Sequence, residues 1–437
     1  MASLLSSLLQ RLDHGSAEFD QALLRLANRG ETDSARVEPA VREILEAVRT
    51  EGDAAVLRYV AKFEQREPKP LFTREIGGRA ALDRLPSSAR AALELAAERI
   101  TEFHRKERDA MFAGGGFRFE ADGRSLGLRV RALARVGVYA PGGKARYPSS
   151  VLMSAIPAKV AGVSEIILAT PLSNDAADDT LRAAAHLSGI EAVVDAGGAQ
   201  AIAALAWGTQ SIPRVDKIVG PGNAYVACAK RMVYGAVAID SIAGPSEILV
   251  VADASANPAH VAADLLSQAE HDEDAYALLV TNDASLVAKV VAELDKQLAD
   301  LPRAKIARTS LERHAQAFVV SSRNELADVA NTIAPEHLSL QVEDADAMLD
   351  AIKHAGAAFV GGSTPEAVGD YIAGPSHVLP TGGAVRFGSP LGVHDFVART
   401  SIIRYTPEAL EKDASAIVDF ARLEGLEAHA RAVLVRK

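Results

Sequence analysis

A chain of 437 residues, 49% of it apolar and 24% charged, has room for two or three packed domains and is too apolar to be disordered. With 47 basic against 57 acidic side chains the formal charge is -10, and no basic stripe carries interleaved aromatics, so nucleic acid is not an expected partner. The single cysteine, Cys228, excludes an intrachain disulfide, restricts any metal site to histidine, carboxylate and amide ligands, and fits a reducing, cytoplasmic setting.

Residues 1–13 lack a basic leading region and carry both charges by the second turn, which predicts an amphipathic helix and not a secretory leader. Apolar positions recur at helical spacing over residues 34–63 (Val37, Val41, Ile44, Leu45, Val48) and again over 88–106, before an alternating strand at 126–130. From Arg135 onward, β-branched runs at 136–139, 166–168, 192–194, 217–219, 248–251 and 278–280 alternate with Ala-rich helical stretches. That alternation predicts an α/β protein with parallel sheets and crossover helices. The apolar stretch 150–163 is broken by Pro157 and Lys159 and is too short to cross a bilayer, so no membrane association is expected.

The first four runs end in turn residues, Ala140-Pro141-Gly142-Gly143, Ala169-Thr170-Pro171, Asp195-Ala196-Gly197-Gly198 and Gly220-Pro221-Gly222-Asn223, at the edge where open parallel sheets take ligands. The expected organisation is an α/β unit at 139–245, a second and discontinuous one from 31–138 and 246–390, a helical extension at 1–30 and another at 391–437. In the last of these, Thr406 and Pro407 start a helix with apolar spacing through Leu410, Ile417 and Phe420. It has too little material for a core of its own, so it must pack on something else, such as a second copy. No internal repeat is visible.

Several constellations can carry chemistry. A helix starting at Asn257-Pro258 brings Gln268 and His271, three apart, onto one face, where an amide oxygen and an imidazole can share an ion; a capped helix end is the blander reading. Pro335 fixes a turn that lets Glu336 and His337 face one cleft, a carboxylate beside an imidazole as proton transfer near neutral pH requires. Asp370, before the turn-rich run that holds His377, is either a metal ligand or a helix cap. Glu424 and His429, five apart, share a site only if the helix begins or bends near Gly425. The segment Gly197-Gly198-Ala199-Gln200 opens a helix whose N–H groups can receive a pyrophosphate, Tyr139 is a stacking ring or core, and Ser246 offers a hydroxyl.

Taken in order, Tyr-Ala-Pro-Gly-Gly, Gly-Gly-Ala-Gln-Ala, Gly-Pro-Gly-Asn, Ala-Gly-Pro-Ser-Glu, Gln-Ala-Glu-His, Ala-Pro-Glu-His-Leu, Gly-Asp-Tyr and Leu-Glu-Gly-Leu-Glu-Ala-His resemble the histidinol dehydrogenase family over about residues 34–437, with the first 30 residues matching loosely. His394 departs from the small or acidic residue expected at its position. The resemblance implies two Rossmann-like domains, with the helical extensions at 1–30 and 391–437 serving dimerisation. It also implies a cytoplasmic, zinc-dependent homodimer, one zinc per subunit, that oxidises L-histidinol to L-histidine with two NAD as the last step of histidine biosynthesis. Carried over, Gln268, His271, Asp370 and His429 hold the metal, and His429 and Glu424 reach the partner's site. Ser246, Gln268, His271, His337, Asp370, Glu424 and His429 contact substrate, with His377 a weaker candidate. Tyr139, Gln200 and Asn223 bind NAD, and Glu336 and His337 are the acid-base pair.

The ligand mix also suits manganese or cobalt. The rivals are a related dehydrogenase acting on another small alcohol, a zinc hydrolase working without nucleotide, and a non-catalytic acidic binding protein. Retention of Ser246 and Glu424 speaks against the first.

Overall fold

The computed structural model describes residues 8–30, 36–68, 70–112, 115–142, 147–172 and 177–436, so residues 1–7 of the expected N-terminal helix and Gly143 of the first turn motif lie outside the described residues. The chain opens on β1 (Gln10–Asp13) and α1 (Ala17–Ala27). It continues through α2 (Glu38–Glu51), α3 (Asp53–Glu64), the short β2 (Phe72–Thr73), α4 (Gly78–Arg84) and α5 (Ser87–Phe112). The hairpin β3 (Gly116–Ala121) and β4 (Arg124–Ala132) leads into a first alternation: β5 (Arg135–Tyr139), α6 (Pro148–Ala161), β6 (Glu165–Ala169), α7 (Ala177–Ser188), β7 (Ala192–Val194), α8 (Gly198–Trp207), β8 (Lys217–Val219), α9 (Ala224–Val233) and β9 (Ala238–Ile239). A second alternation follows: β10 (Glu247–Ala252), α10 (Pro258–Ala269), β11 (Tyr276–Thr281), α11 (Ala284–Leu298), α12 (Ala304–His314), β12 (Gln316–Val319), α13 (Arg323–Ile333), β13 (His337–Gln341), α14 (Ala345–Ala351), β14 (Ala357–Val360) and α15 (Glu366–Tyr371). The strand β15 (Val397–Tyr405) and the helices α16 (Pro407–Leu423) and α17 (Glu427–Leu434) end it.

Two six-stranded sheets carry the architecture, one ordered β1-β12-β11-β10-β13-β14 and the other β2-β7-β6-β5-β8-β9. In each, the first strand of its alternation sits centrally, the next two on one side and the last two on the other, which is the doubly wound order. This repeat was invisible in the sequence because winding order follows the spacing of strands and helices, not residue identity. The sheets differ at the added edge: β1 joins parallel to β12, whereas β2 joins antiparallel to β7. All six residues of β10 are buried, with Ile248 and Val250 in the core under α10 and α11, and Leu249 and Val251 in the core under α1 and α13. A third, antiparallel sheet, β15-β4-β3, ties the C-terminal segment to the hairpin that precedes β5.

Three expectations are corrected. The segment Gln10–Asp13, expected to be helical, is a strand with Leu12 alone buried, because sheet pairing outweighs the propensity of four residues. Helices α2 and α3 bury Val41, Ile44, Leu45, Val56 and Val60 against α8, α9 and Tyr139, and α5 packs on α6. They therefore cover the β5 sheet, not the β10 sheet with which residues 31–138 had been grouped; an amphipathic stripe specifies a buried face but not the sheet that covers it. The segment 391–437, expected to be helical, contains the nine-residue β15 before its helices. Among the described residues no helix is long and apolar enough to cross a membrane.

Candidate active site and metal centre

The candidate catalytic residues gather at the amino edge of the β10 sheet. Glu247 and His337 are the first residues of β10 and β13, and Ile248 pairs with His337 across them. A crossover helix runs antiparallel to its strands, so the C-terminal end of α10 returns Gln268 and His271 to that edge. The chain leaves α13 through Ala334, whose φ of 50° lies in the left-handed region, and Pro335 then turns Glu336 into β13.

Glu247, singled out in the sequence only as the end of the Ser246 motif, organises the candidate pair Glu336 and His337. Its backbone N–H donates to Glu336 Oε2 at 3.0 Å and its carbonyl oxygen lies 3.1 Å from His337 Nδ1. A carbonyl only accepts, so in the neutral ring Nδ1 carries the proton and Nε2 is the free base position. The Glu247 carboxylate is paired with Arg29, whose Nε lies 2.9 Å from Oε2 and whose other nitrogens bind the carbonyls of Leu26, Ile333 and Ala334. Neither residue was a sequence candidate: 218 positions separate them, and nothing local marks the pair.

Burial holds the His337 imidazole down at about 4, so the ring is neutral at pH 7. Burial, then the Glu247 carboxylate, pushes Glu336 well above the usual carboxyl range. The two side chains approach to 3.6 Å between His337 Nδ1 and Glu336 Oε2, and the ring stacks on Phe359 with centroids 6.1 Å apart. Ser246 is half-buried immediately before β10.

One ligand atom each from His271, Glu366 and Asp370 lies within 4.8 Å of the others. His271 is exposed at the rim, yet surrounding protein still crowds its imidazole and draws it below its usual range. Burial pulls Asp370 upward, but the hydrogen bond from His377 and the nearby imidazoles outweigh it and keep the carboxylate below its ordinary value. His377 Nδ1 sits 3.1 Å from the Asp370 carbonyl oxygen and 3.6 Å from Oδ1. Gln268 is 0% exposed, and neither its Oε1 nor its Nε2 has a hydrogen-bond partner among the described residues. An unsatisfied buried polar group costs about 1–3 kcal/mol, so a wholly orphaned amide fits a donor awaiting an ion. Glu366 was missed in the sequence; the available signal was its position four residues before Asp370, which puts two carboxylates on one helix face.

The other candidates lie elsewhere. At the carboxyl edge of the β5 sheet, the Tyr139 hydroxyl accepts the Gly198 N–H at 3.1 Å and the ring is buried, while Gln200 is buried in the first turn of α8. Asn223 caps α9, its Oδ1 accepting from the N–H groups of Tyr225 and Val226, and is exposed. The expectation of a pyrophosphate seat on Gly197 and Gly198 is corrected: Glu64 Oε1 takes the Gly197 N–H at 2.9 Å and Tyr139 takes the next. A carboxylate at a helix N-terminus already fills the role an anion would play.

Glu424 and His429 are exposed and stand apart from the His271 cluster within one chain. The bend required at Gly425 is present: α16 ends at Leu423, Gly425 has φ 73°, and α17 starts two residues later. The two helices pack on each other through Val418, Ala421 and Ala430, leaving Phe420 and Leu423 65% and 86% exposed. His394, the unusual residue, lies outside the site, with Nδ1 3.3 Å from Glu107 and Nε2 3.3 Å from Asp395.

Comparison with known proteins converges on one family. The profile of the family described as histidinol dehydrogenase matches residues 27–437, starting earlier than the resemblance at 34. A histidinol dehydrogenase of Syntrophotalea carbinolica is 50% identical over 433 residues, 98% of this chain and 99% of its own. One from Nitrosospira multiformis is 47% identical over 425 residues, covering 97% and 96%. The crystal structure of histidinol dehydrogenase from Elizabethkingia anophelis superposes with a TM-score of 0.90 at 33% identity over 98% of each chain.

Proposed function

The chain belongs to the histidinol dehydrogenase family, and from that premise we propose that it oxidises L-histidinol through L-histidinaldehyde to L-histidine with two molecules of NAD, closing histidine biosynthesis. The observation that carries this reading is a buried, neutral His337, held beside Glu336 by the Glu247 backbone, next to the unsatisfied amide of Gln268 and the Asp370 carboxylate, with His271 at the rim. In the working enzyme Gln268, His271 and Asp370, with His429 of a second copy, hold zinc. Tyr139, Gln200 and Asn223 hold NAD. Bound zinc supplies a fixed positive charge that orients the imidazole and amine of the substrate, and each NAD supplies a hydride acceptor.

The protein's own part is proton handling. His337 Nε2 takes the hydroxyl proton as the first hydride leaves the carbinol carbon, and a pKa of about 4 keeps that nitrogen unprotonated at neutral pH. The Glu336 carboxyl, raised by burial, is basic enough to take a proton from water as that water adds to the retained aldehyde. His337, its first proton returned to solvent as a pKa of about 4 allows, then takes a hydroxyl proton of the hydrate in the second oxidation. Ser246, Glu424 and His429 are assigned to the substrate along with the metal donors, and Glu424 and His429 come from a second copy because neither lies at the site of its own chain. Homodimerisation through α16 and α17, cytoplasmic location and the absence of nucleic-acid or membrane partners belong to the same proposal.

Limiting L-histidinol with excess NAD tests it, with NADH counted by absorbance. Two NADH per substrate are expected. One would mean release at the aldehyde and none would sink the assignment.

A further inference from the structure

Helix α10 carries two of the metal donors proposed above, Gln268 and, just past its end, His271, while strand β13 begins with His337. Gln268 shares a helix face with Asp264, one turn earlier, and alternation along β13 puts Ser339 and Gln341 on the same face as His337. Asp264, Ser339 and Gln341 are 5%, 1% and 5% exposed. The Ser339 hydroxyl and the Gln341 amide nitrogen both donate to Asp264 Oδ2, each at 2.8 Å. Further along the helix, the Ser267 hydroxyl donates to Glu366 Oε2 at 2.9 Å. Polar bonds therefore tie α10 both to the strand of His337 and to α15, the helix of Asp370.

This polarity stands where apolar packing would be expected. The core under α10 draws Ile248, Val250 and Ala252 from β10, whereas the residues of β13 that join an apolar core, Leu338 and Leu340, lie on its opposite face. Burying a carboxyl is unfavourable, and burial raises that of Asp264 above its ordinary range. An apolar contact of the same size would avoid that cost, but it is non-directional and lets a helix slide over a sheet. Two bonds converging on one oxygen fix the helix against the strand in position and register. Placement matters here, because a misplacement of about 1 Å can lower a rate about 100-fold even when it arises far from the reacting atoms.

We propose that Asp264 is a positioning residue that sets the separation between the metal donors of α10 and the base His337 of β13. It acts through Ser339 and Gln341, not by contact with substrate or metal, and what it contributes is an acceptor oxygen in a fixed place. The inference rests on the metal site and base proposed above and adds the part that holds one to the other.

The test uses the full-length protein, stripped with chelator and reloaded with Zn2+ for kinetics or Co2+ for its visible spectrum, at a temperature where every variant is folded. Asp264→Leu is expected to lower kcat for L-histidinol about 10- to 100-fold and to shift the Co2+ ligand-field bands, with KM for NAD changed by no more than about twofold. Asp264→Asn is expected to stay within about twofold of wild type in kcat and to keep the Co2+ spectrum, because its amide oxygen accepts the same two bonds. Asp264→Leu that leaves both kcat and the spectrum unchanged overturns the proposal, whatever stability it loses. So does Asp264→Asn as impaired as Asp264→Leu, since the charge and not the acceptor would then be at work. If Asp264→Leu is recovered unfolded, the triple variant Asp264→Leu, Ser339→Ala, Gln341→Met, which leaves no member of the cluster buried and unpaired, is read by the same criteria. Full metal retention by both His271→Ala and Asp370→Asn would instead overturn the underlying metal site, and so separates the two failures.

Discussion

At the carboxyl edge of the β5 sheet the loop amides of Gly197, Gly198 and Gly220 are bound by Glu64, Tyr139 and Asp240, and buried Lys230 donates to the Gly220 carbonyl. At the amino edge of the β10 sheet, among the described residues, Gln268 has no hydrogen-bond partner and Glu366 leaves Oε1 without one, while Glu336 and His337 are displaced from their usual ionisation ranges. The two sheets share a winding order, so topology does not explain the contrast. The comparison teaches that loop motifs mark where a chain turns, whereas several unsatisfied or ionisation-shifted polar groups gathered at one buried spot mark a candidate binding site. The loop amides of the β5 edge are held by bonds within the chain, although the buried Thr170 hydroxyl there has no hydrogen-bond partner among the described residues. A ligand bound only by the folded chain at the unsatisfied edge would add to its stability.

Substitutions can break this contrast, beginning with the one expected to have the largest effect. His337→Asn should lower kcat by about 100- to 10,000-fold while NAD affinity, read at the other sheet, stays within a factor of two. Loss of both together would mean that the edges are not independent. Arg29→Met leaves the Glu247 carboxylate buried and unpaired, and should cost about 3–5 kcal/mol in urea unfolding, with activity falling because Glu247 holds Glu336 and His337. Glu64→Gln, on the satisfied edge, should cost about 1 kcal/mol and leave bound metal unchanged.

The smallest effect is a pH dependence away from both edges. The Glu107 carboxylate, burial notwithstanding, is held down at about 2 by His104 and His394, and hydrogen bonding to Glu107 raises the His394 imidazole above its ordinary value. A raised histidine contributes stability that is complete below its unfolded value, near 6.5, and lost as pH rises through its folded value. His394→Asn should therefore destabilise more at pH 6 than at pH 9, by about 0.2–1 kcal/mol for this partly exposed group. Equal thermal shifts at the two pH values would remove the ion pairs from the account.

Much of this was legible in the sequence where the signal was local. The β-branched runs became β5 to β8, β10 and β11, Asn257 and Thr406 cap the helices they were expected to start, and Gly425 supplies the bend. Glu336 and His337 were visible because they are adjacent in sequence and in space. Glu247 and Arg29 were not, since their importance arises only when two strands and the turn after α1 meet. Glu366 was hidden by ordinary helix composition. Its i, i+4 relation to Asp370 becomes informative only once both are known to be crowded beside His271.

The parallel pairing of β1 with β12 bears on how the chain comes to be folded. Gln10 is paired with Gln316, 306 residues later, so β1 cannot take its place until β12 has been synthesised. At about 5–20 residues per second that interval is roughly 15–60 s. The β5 sheet, whose five principal strands all fall within 105 residues, from Arg135 to Ile239, can assemble in the meantime. The β10 sheet therefore completes its β1 edge after the β5 sheet can have formed, and Arg29, carried in behind β1, reaches Glu247 only then.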